Sequence, residues 1–175
     1  MEYIKPLFSE SQINEKVGDI AFKMNQEFAK KSDIVIVSIL NGSFIFAADL
    51  IRKLNFDFEF DLLRISSYRN STVSGKIDIQ GDLNIDVKNK HVIILEDILD
   101  TGNTVTAACN FLIQKGASMV DVSAIVVKSQ KYSIPIPVRY PGLIIEDIFV
   151  VGYGLDNAGR YRNLPYIGIF SADNE

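Results

Sequence analysis

The sequence contains one cysteine and one histidine among its 175 residues. Cys109 alone can close no internal disulfide, and no cluster of Cys and His has the spacing of a zinc site. Long hydrophobic runs are also missing. None approaches the roughly 20 apolar residues of a membrane span, and Met1-Glu2-Tyr3-Ile4-Lys5-Pro6 has no signal-peptide core. There is no basic surplus: 22 acidic residues outnumber 18 basic ones, for a formal net charge of −4. Dedicated nucleic-acid binders normally carry the opposite imbalance. Internal repeats and low-complexity tracts are lacking too. These absences predict a cytoplasmic protein that engages neither membrane nor nucleic acid.

What is present has the balance of a folded chain, 47% apolar and 23% charged. The length is that of one ordinary domain, so residues 1–175 are read as a single unit. Ser9 followed by Gln12 has the pattern of a capped helix start, and Ile13, Val17, Ile20, Ala21, Met24 and Phe28 continue it at helical spacing. Ile34 to Leu40 is β-branched and almost wholly apolar, as a strand covered on both faces is. Asn41-Gly42-Ser43 breaks it, and a helix is predicted from Phe44 to Leu54. Phe56, Phe58, Phe60 and Leu62 then alternate with acids, which predicts a strand with one wet face.

The alternation continues with a buried strand at Val92–Leu95, a helix from Thr104 to Lys115 ended by Gly116, and a strand at Val122–Val127. Ser129 to Gly142, with three prolines, is read as irregular. Leu143 to Val151 is strand-like at its end, and Tyr166 to Phe170 is a short last strand. Strand–helix–strand order implies an α/β fold, a central mainly parallel sheet flanked by helices. Ligands of such sheets bind beyond the carboxyl ends of the strands. Ser66 to Asn84 is polar, weakly periodic and long for a connector, the profile of a lid.

The most informative stretch runs from Val92 through Glu96-Asp97-Ile98-Leu99-Asp100-Thr101-Gly102-Asn103-Thr104. At the end of a buried strand, Glu96 and Asp97 could bracket a diol or a hydrated Mg²⁺, an ion that favours hard oxygen ligands and keeps several waters. Gly102 permits a tight turn, and backbone N–H groups at a helix start form a concave anion site. Thr101 and Thr104 add hydroxyl donors, so a monoester phosphate would fit. The competing reading has Asp100, Thr101 and Thr104 merely capping a helix. Asp-Thr-Gly also occurs in aspartic proteases, but their chemistry needs two such carboxylates, and this chain has one copy set between strand and helix.

Taken together with three further motifs, this turn resembles that of the hypoxanthine (hypoxanthine–guanine) phosphoribosyltransferases of bacterial type. Leu40-Asn41-Gly42-Ser43 with Phe46-Ala47-Ala48-Asp49-Leu50 is similar to the family's pyrophosphate loop and following helix. Ser67-Tyr68 is similar to a pair in its mobile lid. Phe149 to Asp156 and Arg160 to Gly168 are similar to its purine-binding hood. The resemblance implies the type I phosphoribosyltransferase fold, with a lid at about 66–84 and a hood from the N-terminal segment and residues 143–175. It implies transfer of a 6-oxopurine onto phosphoribosyl pyrophosphate (PRPP) with Mg²⁺, giving a nucleoside monophosphate and pyrophosphate.

Carried over residue by residue, Asp100 would be the general acid/base at N7 of the purine. Glu96 and Asp97 would face the ribose hydroxyls and the metal, and Asp100, Thr101, Gly102, Asn103 and Thr104 the 5′-phosphate. Asn41, Gly42, Ser67, Tyr68 and Arg162 would meet the pyrophosphate. Lys128 would donate to O6, Phe149 would stack on the base, and the Val150 carbonyl would accept from its edge. Asp156 would sit near the base and help bind Mg²⁺. Asn41 stands where the family often has Lys or Arg, and a cis peptide is implied at Leu40–Asn41. A homotetramer or homodimer is implied as well.

Two alternatives stay open in the sequence. One is a xanthine- or guanine-preferring transferase; the other is a regulator on the same fold that senses PRPP without catalysis. Simpler readings stand beside several residues: His91 as a solvated turn residue, Cys109 as small core, Lys128 as a surface lysine and Asp156 as a turn cap with Asn157 and Gly159.

Overall fold

A computed structural model describes residues 2–67, 77–129 and 137–172. The chain runs through β1 (Glu2–Phe8), α1 (Glu10–Phe28), β2 (Ile34–Leu40), α2 (Phe44–Ile51), β3 (Glu59–Ser67) and β4 (Ile77–Gln80). It continues with β5 (His91–Leu99), α3 (Asn103–Gln114), β6 (Met119–Lys128), β7 (Val138–Ile145), β8 (Val150–Val151) and β9 (Ile167–Ala172). Six strands form the central sheet in the order β4-β3-β2-β5-β6-β7. All neighbours are parallel except β3 and β4. The second sheet, β1-β9-β8, is antiparallel and joins the two ends of the chain into the hood.

Alternation along β2 and β5 divides the core between the two faces of the sheet. Ile34, Ile36, Ile93 and Leu95 pack with α1 and α2 on one face. Val35, Val37, Val92 and Ile94 pack with α3 on the other. The apolar stripe of α1 is buried at the six positions its spacing predicts. Its start is a capping box, Gln12 N–H donating to Ser9 Oγ while the Gln12 side chain accepts from Ser9 N–H. Cys109 is core on the α3 side, and burial pushes its thiol up to about 11.

The structure departs from the sequence reading at several places. Val138–Ile145 is a strand despite Pro141 and Gly142; it lies on the edge of the sheet, where a missing N–H can face away from the ladder. Glu2–Phe8, which showed no strand pattern, is held as a strand by pairing with β9. The aromatic strand begins only at Glu59, and its Asp61 is buried while Leu62 is exposed. Backbone N–H groups of Leu62, Asn84 and Ile85 donate to the Asp61 carboxylate, so the loop after β4 is fastened to β3. Finally, His91 is not a solvated turn residue. It opens β5, with Nε2 2.8 Å from Asp121 Oδ2 and its ring against Phe28.

The order of strands places a topological switch between β2 and β5: from β2 the chain steps to β3 on one side, while β5 lies on the other. Loops leaving the carboxyl ends of such neighbours diverge and open a crevice.

Candidate active site

The crevice is a cavity of about 440 Å³ at that switch point. Its walls include Asn41 and Gly42 from the loop after β2, Glu96 and Asp97 from the end of β5, and Asp156 and Arg162 from the hood. Thus three segments far apart in sequence meet there. A smaller cavity of about 160 Å³ adjoins Glu96 and is lined by Asp100 through Val105.

The loop after β2 is fixed from beneath. Ser43 is fully buried, its hydroxyl 2.6 Å from that of Ser38, and it also donates to the Ile39 carbonyl. The Leu40–Asn41 peptide is cis. At Gly42 a Cβ would collide with the Asp97 carboxylate, so glycine lets that carboxylate lie directly against the loop. The hood closes on the same loop. Gly154, at φ +99°, has its open side against the Gly42 carbonyl oxygen, and Tyr153 donates to Asp49 of α2 at 2.7 Å.

Glu96 is 7% exposed and Asp97 half-buried. Burial, reinforced by the charge of Asp97, pushes the Glu96 carboxyl well above the ordinary glutamate range. Burial raises Asp97 too, against the Ile98 N–H that donates to it at 2.8 Å and the charge of Arg162. Oε2 of Glu96 is buried with no hydrogen-bond partner among the described residues. Two crowded carboxylates and an unpartnered oxygen are a donor set that a hard divalent cation would satisfy. Among the described residues no cluster of three or more metal-binding side chains converges. A Mg²⁺ held here would therefore complete its shell with water and substrate oxygens, as that ion commonly does.

Helix α3 is preceded at its N-cap by Gly102, at φ +83°, which has no side chain to cap it. Its first internal bond is Thr106 N–H to the Gly102 carbonyl at 2.8 Å, so the N–H groups before Thr106 lie at the mouth of the smaller cavity. Of the three residues read as caps, Thr101 accepts from Asn103 N–H at 3.5 Å through its hydroxyl, and Thr104 stands inside the first turn. N–H groups exposed at a helix start attract an anion.

Lys128 ends β6 and is only 6% exposed, so it is not a surface lysine. Its Nζ donates to Asp100 Oδ2 at 3.2 Å and to Asp147 Oδ1 at 3.1 Å. Phe149 is half-exposed, its ring propped edge-on by Phe170 at 5.8 Å between centroids. Val150 is buried in β8 opposite Ile169. Asp156 does cap a turn, accepting from Gly159 N–H at 2.6 Å, and also pairs with Arg162 at 2.8 Å. Arg162 donates in addition to the Gly154 carbonyl at 2.6 Å. Ser67 closes β3 in register with Ile77, and Tyr68 lies outside the described residues.

Sequence reasoning overlooked Asp147, Arg64, Ser66 and Gln80. The first holds Lys128, and the other three line the larger cavity. Arg64 carried a usable signal, because it sits near the carboxyl end of an apolar strand run, where ligands of parallel sheets bind. No helix among the described residues is long and apolar enough to cross a membrane.

Residues 7–158 match the phosphoribosyl transferase domain family. The chain is 34% identical over 169 residues to the hypoxanthine phosphoribosyltransferase of Haemophilus influenzae, covering 95% of this chain and 94% of that protein. It is 36% identical to the bifunctional protein TilS/HprT of Listeria innocua over 97% of this chain, but spans only 26% of that longer protein. A crystal structure of a hypoxanthine-guanine phosphoribosyltransferase from Bacillus anthracis superposes with a TM-score of 0.87 at 33% identity, over 98% of this chain and 100% of that one. Likeness of this extent, in sequence and in three dimensions, means that the chain belongs to the phosphoribosyltransferase family, among its hypoxanthine phosphoribosyltransferases.

Proposed function

We propose that the chain is a purine-salvage enzyme joining hypoxanthine, and also guanine, to PRPP, with IMP or GMP and pyrophosphate as products. The observation that carries this reading is the pairing of Lys128 with Asp100. In a 6-oxopurine, O6 and N7 lie side by side on one edge. A cationic donor and a carboxylate side by side match that edge, the first for O6 and the second for the N7 proton. Lys128 can only donate. Adenine would turn its 6-amino group toward that donor and be disfavoured.

The remaining residues take complementary parts. The N–H groups and hydroxyls of Thr101 to Thr104 receive the 5′-phosphate, and Glu96 and Asp97 the ribose hydroxyls. Phe149 stacks on the base, with the Val150 carbonyl at its edge. As the bond from N9 to C1′ forms and the bond from C1′ to pyrophosphate breaks, Asp100 takes the N7 proton. Arg162, with the backbone of Asn41 and Gly42, stabilises the charge that gathers on the leaving anion. Glu96 and Asp97 would hold Mg²⁺ together with water and substrate oxygens, facing Asp156 across the cavity, and the ion would supply further charge stabilisation to the pyrophosphate. This reading includes a homodimer or homotetramer working in the cytoplasm.

A purine panel tests it. Purified protein with Mg²⁺ and PRPP should form nucleotide and pyrophosphate from hypoxanthine but not from adenine. Rates with guanine and xanthine then rank the preference. PRPP binding without turnover of any base would overturn the enzyme reading.

A further inference from the structure

The larger cavity is acidic for a site that must receive pyrophosphate: Glu96, Asp97 and Asp156 line it, and the only cations on its described walls are Arg64 and Arg162. These two cations are not equivalent. Arg162 is matched within the wall by Asp156 and also bonds the Gly154 carbonyl. Arg64, among the described residues, has no carboxylate in ion-pair range; its Nη2 donates at 3.3 Å to the neutral side-chain oxygen of Asn41.

The backbone explains how the two side chains meet. In the parallel pairing of β2 with β3, Leu40 is opposite Arg64, so Arg64 stands one residue from the loop that begins at Asn41. On its other side Arg64 is in register with Gln80, and Gln80 donates to Ser66 Oγ at 3.1 Å. Alternation puts Arg64 and Ser66 on one face of β3, and both line the cavity. A carboxylate at position 41 would neutralise the guanidinium, and a lysine would repel it. An amide oxygen orients the fork and leaves its charge available.

Resting on the transferase reading above, we propose that Arg64 is a pyrophosphate-binding residue of this chain. It supplies the unmatched positive charge to the leaving anion, while Asn41 acts as the positioning residue that aims it. Guanidinium–phosphate bonds are charge-assisted and can be bidentate, which suits a mobile diphosphate better than a point charge does.

The test is calorimetric titration of inorganic pyrophosphate with Mg²⁺ into the intact protein, run beside steady-state kinetics. Losing a charge-assisted contact in Arg64→Gln should weaken pyrophosphate binding and raise KM for PRPP by about tenfold or more. Affinity for IMP, whose phosphate belongs in the other cavity, should stay unchanged, an outcome that general damage to the site would not give. Asn41→Asp, which leaves Arg64 in place but pairs it, should weaken pyrophosphate binding in the same direction. Arg64→Lys should recover part of the loss. Pyrophosphate affinity within twofold of the parent in both Arg64→Gln and Asn41→Asp would overturn the assignment. A parent protein that binds no pyrophosphate would do the same. If the parent binds pyrophosphate through Arg64 yet makes no nucleotide, the transferase reading fails and the anion site stands.

Discussion

Lys128 Nζ lies 3.2 Å from Asp100 Oδ2, which ties the last residue of β6 to the turn that follows β5. The lysine is buried and the aspartate half-exposed, so the cation is held and the carboxylate faces the crevice. Asp147 grips the same ammonium from the segment leading into the hood. In the proposed reaction, base recognition and proton transfer are therefore mechanically linked.

Asp100→Asn keeps the shape of the side chain but removes the proton acceptor. Turnover of hypoxanthine should fall by about 10²- to 10⁴-fold, with KM for PRPP changed little. Initial rates at saturating PRPP check this. A parallel collapse of PRPP binding would mean that the carboxylate is structural.

Lys128→Ala leaves Asp100 and Asp147 facing one buried gap without their shared cation. KM for hypoxanthine should rise by about tenfold or more, in line with the loss of a charged hydrogen bond, and the preference over adenine should shrink. The ratio of kcat/KM for the two bases is the measurement, and unchanged discrimination would contradict the donor role.

Gly42→Ala drives a methyl group into the Asp97 carboxylate, so that side chain must swing away or the loop must move. Either displacement disturbs the wall of the crevice, with a stability cost of about 1–3 kcal/mol. KM for PRPP should rise more than KM for hypoxanthine. Thermal melts and the two KM values together check both halves.

Asp61 supplies a pH dependence that does not involve the site. Burial alone would raise its pKa, but N–H donors from Leu62, Asn84 and Ile85 outweigh burial and hold it below the ordinary aspartate value. A depressed folded-state pKa stabilises above the unfolded value, about 3.9, and that stability fades as pH falls through the folded value. Asp61→Asn should cost about 1–3 kcal/mol at pH 7. The gap between the variant and the parent in urea melts should narrow steadily below about pH 4.

The sequence by itself determined the features that depend on neighbours a few residues apart. The capping box of Ser9 and Gln12, the stripe of α1, the two-faced burial of β2 and β5, and the glycine turn opening α3 all follow from local periodicity and backbone chemistry. The pairing of Glu96 with Asp97 was legible for the same reason. What only the tertiary structure decided depends on strand order and register, which no local pattern encodes. Pro141 is tolerated because β7 is on the edge, and Glu2–Phe8 becomes a strand only because β9 lies beside it. Lys128 is an ordinary lysine until the β5–β6 register sets it against Asp100, 28 positions away. Arg64 reaches Asn41 across 23 positions because β2 and β3 run parallel, and that crossing carries its charge into the crevice.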